Sequence, residues 1–243
     1  MFNFIKMKKY ALYISLIIGV TFVSCKKEAI DKPKVIYEDT TKSKQEAPID
    51  TSEIETADLP IIMEGTNYLI HPIGVIFGKS KGLKSYSDSE QSFSVSNYGE
   101  YEITGYLKNL KFQEIGTDSI YALTDKQVMI ETATYLKTVA DKSKLQLIVY
   151  SLADIDTNKD SKLDGNDIKA LYISTVSGNK FTKLSTDFQE VIDWKIIETK
   201  NILYFRTIED TNKNGAFDAE DTLQYYFVNL VDKDWKVTTY RPI

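Results

Sequence analysis

The apolar residues in most of this chain come in short runs that are rich in β-branched and aromatic side chains. Gly, Asn, Asp or Lys residues separate these runs. Short apolar runs between turn-forming residues are typical of β-strands, whereas an amphipathic helix places its apolar residues three and four positions apart. The pattern therefore predicts an all-β domain that begins near Ile61. The clearest predicted strands are residues 74–77, 145–150, 170–173, 202–205 and 225–228.

One segment, residues 124–142, fits two structures. Thr124 and Gln127 match the capping box that opens many helices, and the apolar positions from Val128 to Val139 keep a period of about 3.6 residues. The same segment is rich in Val, Ile and Thr, whose branched side chains lose rotamer freedom in a helix. The composition therefore favours a strand over a helix here.

The chain also repeats itself. A shift of 54 residues lays residues 156–159 on residues 210–213, and both segments read Asp-Thr-Asn-Lys. The same shift lays Tyr172 on Tyr226, and the apolar runs on either side superpose. Self-similarity over tens of residues is the signature of stacked structural repeats. The predicted units are residues 61–125, 126–187 and 188–243.

The first two units end in a similar motif. One ends in Leu123-Thr124-Asp125 and the other in Leu184-Ser185-Thr186-Asp187, each after a glycine at an expected hairpin. Over residues 115–243 this arrangement resembles the four-stranded blades of TolB-like and related β-propellers. The resemblance implies antiparallel, blade-like sheets. Since propellers typically close with at least about four blades, three units imply an incomplete propeller, an open stack or a sandwich of repeats.

Two of the units contain an acidic loop of 12 residues, Asp156–Asp167 and Asp210–Asp221. Calcium prefers about six to eight oxygen ligands, and a loop of this length supplies them from its positions 1, 3, 5, 7, 9 and 12. Both loops fill every one of these positions with an oxygen donor, so the sequence predicts two calcium sites. The predicted ligands are Asp156, Asn158, Asp160, the carbonyl of Lys162, Asp164 and Asp167, and then Asp210, Asn212, Asn214, the carbonyl of Ala216, Asp218 and Asp221.

These loops resemble those of EF-hand and dockerin domains, with three differences. Position 6 is Gly215 in the second loop but Ser161 in the first. Position 12 is Asp rather than a bidentate Glu, which implies a weak, extracellular type of affinity, with Kd of about 10⁻⁴ to 10⁻³ M. Both families flank the loop with helices, whereas the flanks here are strand-like. The loops are therefore expected to be insertions between strands that hold a structural ion. The alternative is that Asp, Asn and Gly simply form polar turns.

Residues 1–24 have the features of a cleavable export signal. Three lysines precede the mostly apolar stretch Tyr10–Val23, which is too short to span a hydrocarbon layer of about 30 Å as a helix. Its end, Phe22-Val23-Ser24-Cys25, resembles the lipobox of bacterial lipoproteins, with Phe22 where the family usually has Leu. The resemblance implies that a lipid is attached to Cys25. Because Lys26 rather than Asp follows, it also implies an address in the outer membrane of a Gram-negative cell envelope.

Residues 25–60 lie between the lipid-attachment site and the predicted β-domain. They are polar and charged, contain three prolines and lack glycine. Such a segment buries too little apolar surface to offset the entropy of ordering. We therefore expect a disordered tether, with a root-mean-square reach of roughly 30 Å.

Charge and composition exclude several classes of function. The formal charge of −5 argues against a nucleic-acid partner, which requires a surplus of Lys and Arg on one face. His71 is the only histidine and Cys25 the only cysteine, so neither a histidine-based zinc site nor a His-dependent catalytic triad is expected. The sequence predicts no enzyme.

The leading hypothesis is a calcium-binding lipoprotein of the cell envelope that serves as a binding or scaffolding module for an unidentified protein or glycan partner. A surface hydrolase acting on glycans or peptides is the first alternative, and it requires a carboxylate pair outside the two loops. A dockerin-like docking module is the second alternative, and it requires helices beside the loops.

Overall fold

The structure is a computed structural model that describes residues 33–37, 53–77 and 94–243. The predicted signal peptide, Cys25 and much of the predicted tether lie outside these residues. The structure contains 46% strand and 6% helix, and its strand pairs are antiparallel. The prediction of an antiparallel all-β fold is therefore confirmed.

The described residues contain fifteen strands and two short helical segments. The strands are β1 Glu53–Ala57, β2 Ile61–Ile62, β3 Tyr68–Phe77, β4 Ser96–Tyr98, β5 Glu102–Leu107, β6 Asn109–Glu114, β7 Ile120–Ala122, β8 Met129–Tyr135, β9 Leu147–Ala153, β10 Ala170–Thr175, β11 Thr182–Lys183, β12 Gln189–Ile197, β13 Ile202–Glu209, β14 Thr222–Asn229 and β15 Val237–Thr239. The helical segments are α1 Lys137–Ser143 and a 3₁₀ turn at Glu198–Lys200.

These strands form three sheets. The first has the order β1-β3-β6-β7, with β2 also paired to β3. The second has the order β11-β10-β9-β8-β5-β4, and the third has the order β12-β13-β14-β15. One of the sheets is curled like half of a barrel.

The predicted units correspond to the sheets in different ways. Strands β8 to β11 fall within residues 126–187 and pair in chain order, as do β12 to β15 within residues 188–243. Residues 61–125 are divided, because β4 and β5 extend the second sheet while β3, β6 and β7 belong to the first. Ile103 of β5 pairs with Ala133 of β8, and both are fully buried. Burial of β5 in this core, which its sequence pattern does not specify, therefore separates it from its neighbours in the chain.

The folded part begins before the predicted boundary at Ile61. Strand β1 lies in the predicted tether, yet it pairs with β3 from Ala57 opposite Ile73 onward. Asp58 follows it and accepts hydrogen bonds from the backbone N–H groups of Val95 and Ser96, at 3.2 and 3.1 Å. Since the side chains described in β1 are exposed or half-buried, its main-chain pairing holds it in place, and its sequence carries no burial pattern that would reveal it.

The ambiguous segment 124–142 is a strand followed by a helix. Strand β8 takes the β-branched part, as predicted, and α1 begins at Lys137. Val139 and Ala140 bury one face of α1, and Lys137 forms an ion pair with Asp141 one turn later, at 2.6 Å. The capping box of the helical alternative is not formed, because the Thr124 hydroxyl instead accepts a hydrogen bond from the backbone N–H of Lys126.

Two hydrophobic cores join the three sheets. The first core lies between the first and second sheets and includes Phe112 and Tyr150. The second lies between the second and third sheets and includes Val149 and Phe205. Side chains alternate along a strand, so neighbours Val149 and Tyr150 of β9 face opposite cores. The second sheet is thus the middle layer, and its β9 is buried on both faces.

Candidate calcium loops

Both acidic loops connect neighbouring antiparallel strands. Asp156–Asp167 lies between β9 and β10, where the last ladder pair is Leu152 with Ala170. Asp210–Asp221 lies between β13 and β14, directly after the pair Glu209 with Thr222. The flanking elements are therefore strands, as the sequence predicted, and each loop is an insertion at the end of a hairpin.

The first Asp of each loop accepts a hydrogen bond from position 6. Asp156 Oδ2 accepts the N–H of Ser161 at 2.9 Å, and Asp210 Oδ2 accepts the N–H of Gly215 at 2.8 Å. A side chain that reaches five residues ahead closes the first half of the loop into a ring. The two loops therefore share the same fold at this end.

The side chains at positions 3, 5 and 9 each close a tight turn. In every case the side-chain oxygen accepts the backbone N–H two residues later, at 2.8 or 2.9 Å. Lys162 and Ala216, whose carbonyls are the predicted main-chain ligands, donate the N–H to position 5. The acceptors are Asn158, Asp160 and Asp164 in the first loop and Asn212, Asn214 and Asp218 in the second.

The last Asp of each loop ties the two ends together. Asp167 Oδ1 accepts the N–H of Thr157 at 2.7 Å, and its Oδ2 accepts the N–H of Asp164 at 3.0 Å. The equivalent Asp221 accepts from positions 2 and 9 of its own loop, at 3.0 and 2.9 Å. Position 12 is thus a closing residue in both loops.

The backbone angles repeat as well. Position 4 has a positive φ in both loops, 56° at Lys159 and 57° at Lys213. Position 6 also has a positive φ, 68° at Ser161 and 84° at Gly215. A left-handed conformation costs a residue with a Cβ roughly 1–2 kcal/mol, and glycine avoids this cost. The first loop therefore carries strain at Ser161 that the second loop lacks.

One carboxylate oxygen distinguishes the first loop. Among the buried side-chain oxygen and nitrogen atoms of the described residues, Asp156 Oδ1 is the one without a hydrogen-bond partner. Its counterpart, Asp210 Oδ1, accepts the N–H of Asn214 at 3.1 Å. Leaving a buried polar atom unsatisfied costs about 1–3 kcal/mol, and more if it is charged. A cation beside Asp156 would remove that cost.

The first loop is also the more buried of the two. Thr157 and Asp167 are each 1% exposed, whereas in the second loop only Asp210, at 3%, is buried. Desolvation raises the pKa of Asp167 above its ordinary value, although three backbone N–H groups lower it, and the nearby charge of Asp156 raises it further. The first loop therefore holds the buried carboxylate of Asp167 close to the negative charge of Asp156.

The donor set suits a hard cation. The twelve predicted ligands fall into two loops with matching hydrogen bonds, and they supply carboxylate, amide and main-chain oxygens, the types that calcium prefers. In the part of the chain that the structure describes, no three His, Cys, Asp or Glu side chains are grouped closely enough to hold a metal by themselves. A calcium ion at these loops would therefore depend on the amide and main-chain oxygens as well.

A contact that the sequence did not predict lies beside the loops. Residues Pro33–Tyr37, within the predicted tether, hydrogen-bond to both of them: Ile36 N–H donates to Thr157 O at 2.8 Å, and Val35 N–H donates to Gly215 O at 3.1 Å. The one signal in the sequence is that residues 35–37 are the only run of three consecutive apolar residues between residues 26 and 60.

A second group of ionisable side chains lies between the second and third sheets. Lys169 Nζ is 2.7 Å from Glu131 Oε2, and the backbone N–H of Lys169 donates to Glu190 Oε2 at 2.5 Å. Burial raises the pKa of Glu190 to about 7, against the lowering effect of that N–H and of the Lys169 charge. The adjoining cleft has a volume of about 530 Å³ and is also lined by Trp194.

The single histidine lies in the first sheet. His71 Nε2 is 3.3 Å from Gln113 Oε1, a contact between β3 and β6. The side chain is half-buried there.

No protein-family model, no curated protein and no solved structure matches the chain. None of the helices in residues 33–37, 53–77 and 94–243 is long and apolar enough to cross a membrane. The case for a function therefore depends on the geometry of the loops themselves.

Proposed function

We propose that this protein is a calcium-binding lipoprotein of the bacterial cell envelope, and that its two acidic loops hold structural calcium ions. In this proposal the β-domain is a binding or scaffolding module, and β8–β11 and β12–β15 are successive blade-like units of an open stack. Cys25 carries the lipid that holds the protein at the outer membrane.

The observation that carries the proposal is the shared hydrogen-bond pattern of the two loops. Asp and Asn also close such turns without a ligand, but a loop that wraps a cation adds a requirement, since each side chain must aim an oxygen inward while its other lone pairs close the turn. Both loops meet this requirement at positions 1, 3, 5, 9 and 12, and both repeat the positive φ at positions 4 and 6. The unsatisfied Asp156 Oδ1 is the second support.

Calcium at these loops would act mainly on stability. Without a cation, Asp156, Asp160, Asp164 and Asp167 repel one another in one loop. A ligand that binds only the folded state stabilises it by about 1.4 kcal/mol at ten times its Kd and about 2.7 kcal/mol at a hundred times. Two such ions would therefore stiffen the ends of the β9–β10 and β13–β14 hairpins.

Thermal unfolding of the full chain in detergent, with millimolar calcium or with chelator, tests the proposal. We expect calcium to raise the melting temperature by several degrees and magnesium at the same concentration to have a much smaller effect, since magnesium demands a tighter octahedral shell. An equal melting temperature in calcium and chelator would contradict the calcium sites.

A surface hydrolase is the second candidate, and the cleft beside Trp194 is the observation that favours it. Glu190 has a pKa of about 7, which suits a general acid, and Glu131 is a second carboxylate at the same lysine. The Lys169 contacts also explain both carboxylates structurally, so this candidate ranks below calcium binding. Loss of glycan or peptide hydrolysis in Glu190→Gln, with melting unchanged, would support it, and an inactive wild-type chain would exclude it.

The docking module fits less well. In EF-hand and dockerin domains the loop is held between helices that form the docking surface, whereas β9, β10, β13 and β14 flank the loops here. We therefore do not retain this alternative.

A further inference from the structure

Residues Pro33–Tyr37, which we name the strap, lie across both acidic loops. The Ile36 N–H donates to Thr157 O of the first loop, and the Val35 N–H donates to Gly215 O of the second. Adjacent residues of one segment thus bind two loops that are 54 positions apart in the sequence. The strap needs both loops in their present conformation to make both bonds.

Val35 anchors the strap by burial. Its side chain is 2% exposed, whereas that of its neighbour Ile36 is 40% exposed. The Val35 carbonyl oxygen lies 2.7 Å from the point that a Cβ on residue 215 would occupy. Gly215 therefore has two roles: it permits the positive φ of the loop, and its lack of a Cβ leaves room for the strap.

Tyr37 extends the contact to the first ligand of the second loop. Its phenol hydrogen-bonds to Asp210, and its ring centroid is 6.5 Å from that of Phe188. Tyr37 therefore adds a side-chain hydrogen bond and a ring contact to the main-chain bonds of the strap.

The main-chain acceptors of the strap are not predicted calcium ligands. Thr157 is at position 2 and Gly215 at position 6, whereas the ligand carbonyls are those of Lys162 and Ala216 at position 7. The main-chain bonds of the strap therefore do not compete with calcium, whereas the Tyr37 phenol and calcium would share Asp210. Anything that fixes the loop conformation also fixes the two carbonyls that the strap needs.

We propose that the strap is an intramolecular ligand of the calcium-loaded loops, so that calcium controls whether the segment next to the lipid anchor is docked or free. This inference rests on the proposed calcium sites. Calcium that orders the loops favours docking, and by linkage the docked strap tightens calcium binding by the same factor.

Docking of the strap would change the length of free chain between the lipid anchor and the β-domain. With the strap docked, the chain from Cys25 to the first bonded residue, Val35, is 10 residues, at most about 35 Å when extended. With the strap released, the chain from Cys25 to β1 at Glu53 is 28 residues, at most about 95 Å. Docking would therefore shorten the longest reach of the chain between Cys25 and the β-domain.

Hydrogen–deuterium exchange of the full chain in detergent tests the coupling. The probes are the amides of Val35 and Ile36, measured with millimolar calcium and with chelator, and the melting temperature is recorded in the same samples. We expect calcium to slow exchange at these amides by on the order of 10-fold or more. Val35→Ser should abolish the slowing and weaken calcium binding by a similar factor. Ile36→Ser is the matched control and should change neither by more than about twofold, because that side chain is already exposed.

The outcomes separate the two proposals. If calcium raises the melting temperature but leaves the exchange of Val35 and Ile36 unchanged, the calcium sites stand and the strap inference is overturned. If calcium changes neither quantity, both are overturned. If Val35→Ser and Ile36→Ser behave alike, docking through the buried valine is contradicted.

Discussion

The two acidic loops have the same backbone and the same hydrogen bonds, yet they differ in what surrounds them. In the first loop Thr157, Asn158 and Asp167 are buried, four carboxylates occupy predicted ligand positions, and Asp156 Oδ1 has no partner. The second is mostly exposed, carries three, and satisfies Asp210 Oδ1 with the N–H of Asn214. The first loop thus leaves one buried carboxylate oxygen without a partner, whereas the second satisfies both oxygens of its first Asp with its own backbone.

This difference predicts which loop binds calcium more tightly, a ranking that the loop sequences alone do not give. Charge repulsion in a poorly solvated loop is relieved by a divalent cation, and the relief is larger where there are more carboxylates and less water. We therefore expect the first loop to bind calcium more tightly and to depend on it more strongly. The following predictions test that expectation, from the largest effect to the smallest.

Replacing the Asp at position 12 by Ala should give the largest difference in stability between the two loops. Asp167→Ala leaves the N–H groups of Thr157, Asn158 and Asp164 without their acceptor, and Thr157 and Asn158 are buried, so we expect a loss of about 3 kcal/mol or more in the free energy of unfolding. The matched variant Asp221→Ala should cost about 1 kcal/mol, since water reaches the groups it frees. Chemical denaturation in chelator measures both, and equal losses would contradict the comparison.

Removing the first ligand should abolish calcium stabilisation of that loop. We expect Asp156→Asn to lose about 2.7 kcal/mol of the stabilisation seen at a hundred times the Kd. In chelator the same variant should melt close to the wild type, because the amide keeps an oxygen that can accept the Ser161 N–H and removes the charge that Oδ1 shares without a partner. Asp210→Asn should show the smaller calcium effect. A larger effect at Asp210 would reverse the ranking.

Position 6 allows a reciprocal exchange. Ser161→Gly should stabilise the chain by about 1 kcal/mol, because glycine relieves the positive φ of 68°. Gly215→Ala should destabilise it by about 1–2 kcal/mol through the φ of 84° and the close approach of the Val35 carbonyl. Denaturation midpoints in calcium measure both changes. If Ser161→Gly has no effect, the first loop is not strained as described.

The smallest effect concerns pH. Because the folded state raises the pKa of Asp167, its contribution to stability in chelator is fully present below the ordinary carboxyl pKa and is lost as the pH rises through the raised value. Asp167→Asn should remove that part of the pH dependence. Denaturation in chelator at a series of acidic pH values measures it. If the free energy of unfolding rises with pH over this window in the wild type but not in Asp167→Asn, the predicted direction is contradicted.

Local patterns predicted the strands and the loops but not their surroundings. β-Branched and aromatic runs in the sequence predicted strands β9, β10, β13 and β14, and the Asp-Thr-Asn-Lys repeat located both loops. These features depend on residues close together in the sequence. The burial of one loop and the exposure of the other depend on which sheets pack around them, which no short pattern encodes.

The strap and β1 are also features that the sequence did not predict. Both are held by main-chain hydrogen bonds to partners far along the chain, Thr157 and Gly215 for the strap and β3 for β1. A polar segment that pairs in this way leaves almost no apolar signal, and residues 35–37 are the exception. The division of residues 61–125 between two sheets was likewise set by the burial of β5 against β8.

Equilibrium dialysis of calcium against the full chain tests the central claim most directly. The account predicts two sites per chain with Kd of about 10⁻⁴ to 10⁻³ M, the tighter of which disappears in Asp156→Ala and the weaker in Asp210→Ala. Absence of bound calcium at millimolar concentration, or a stoichiometry that neither variant changes, would contradict it.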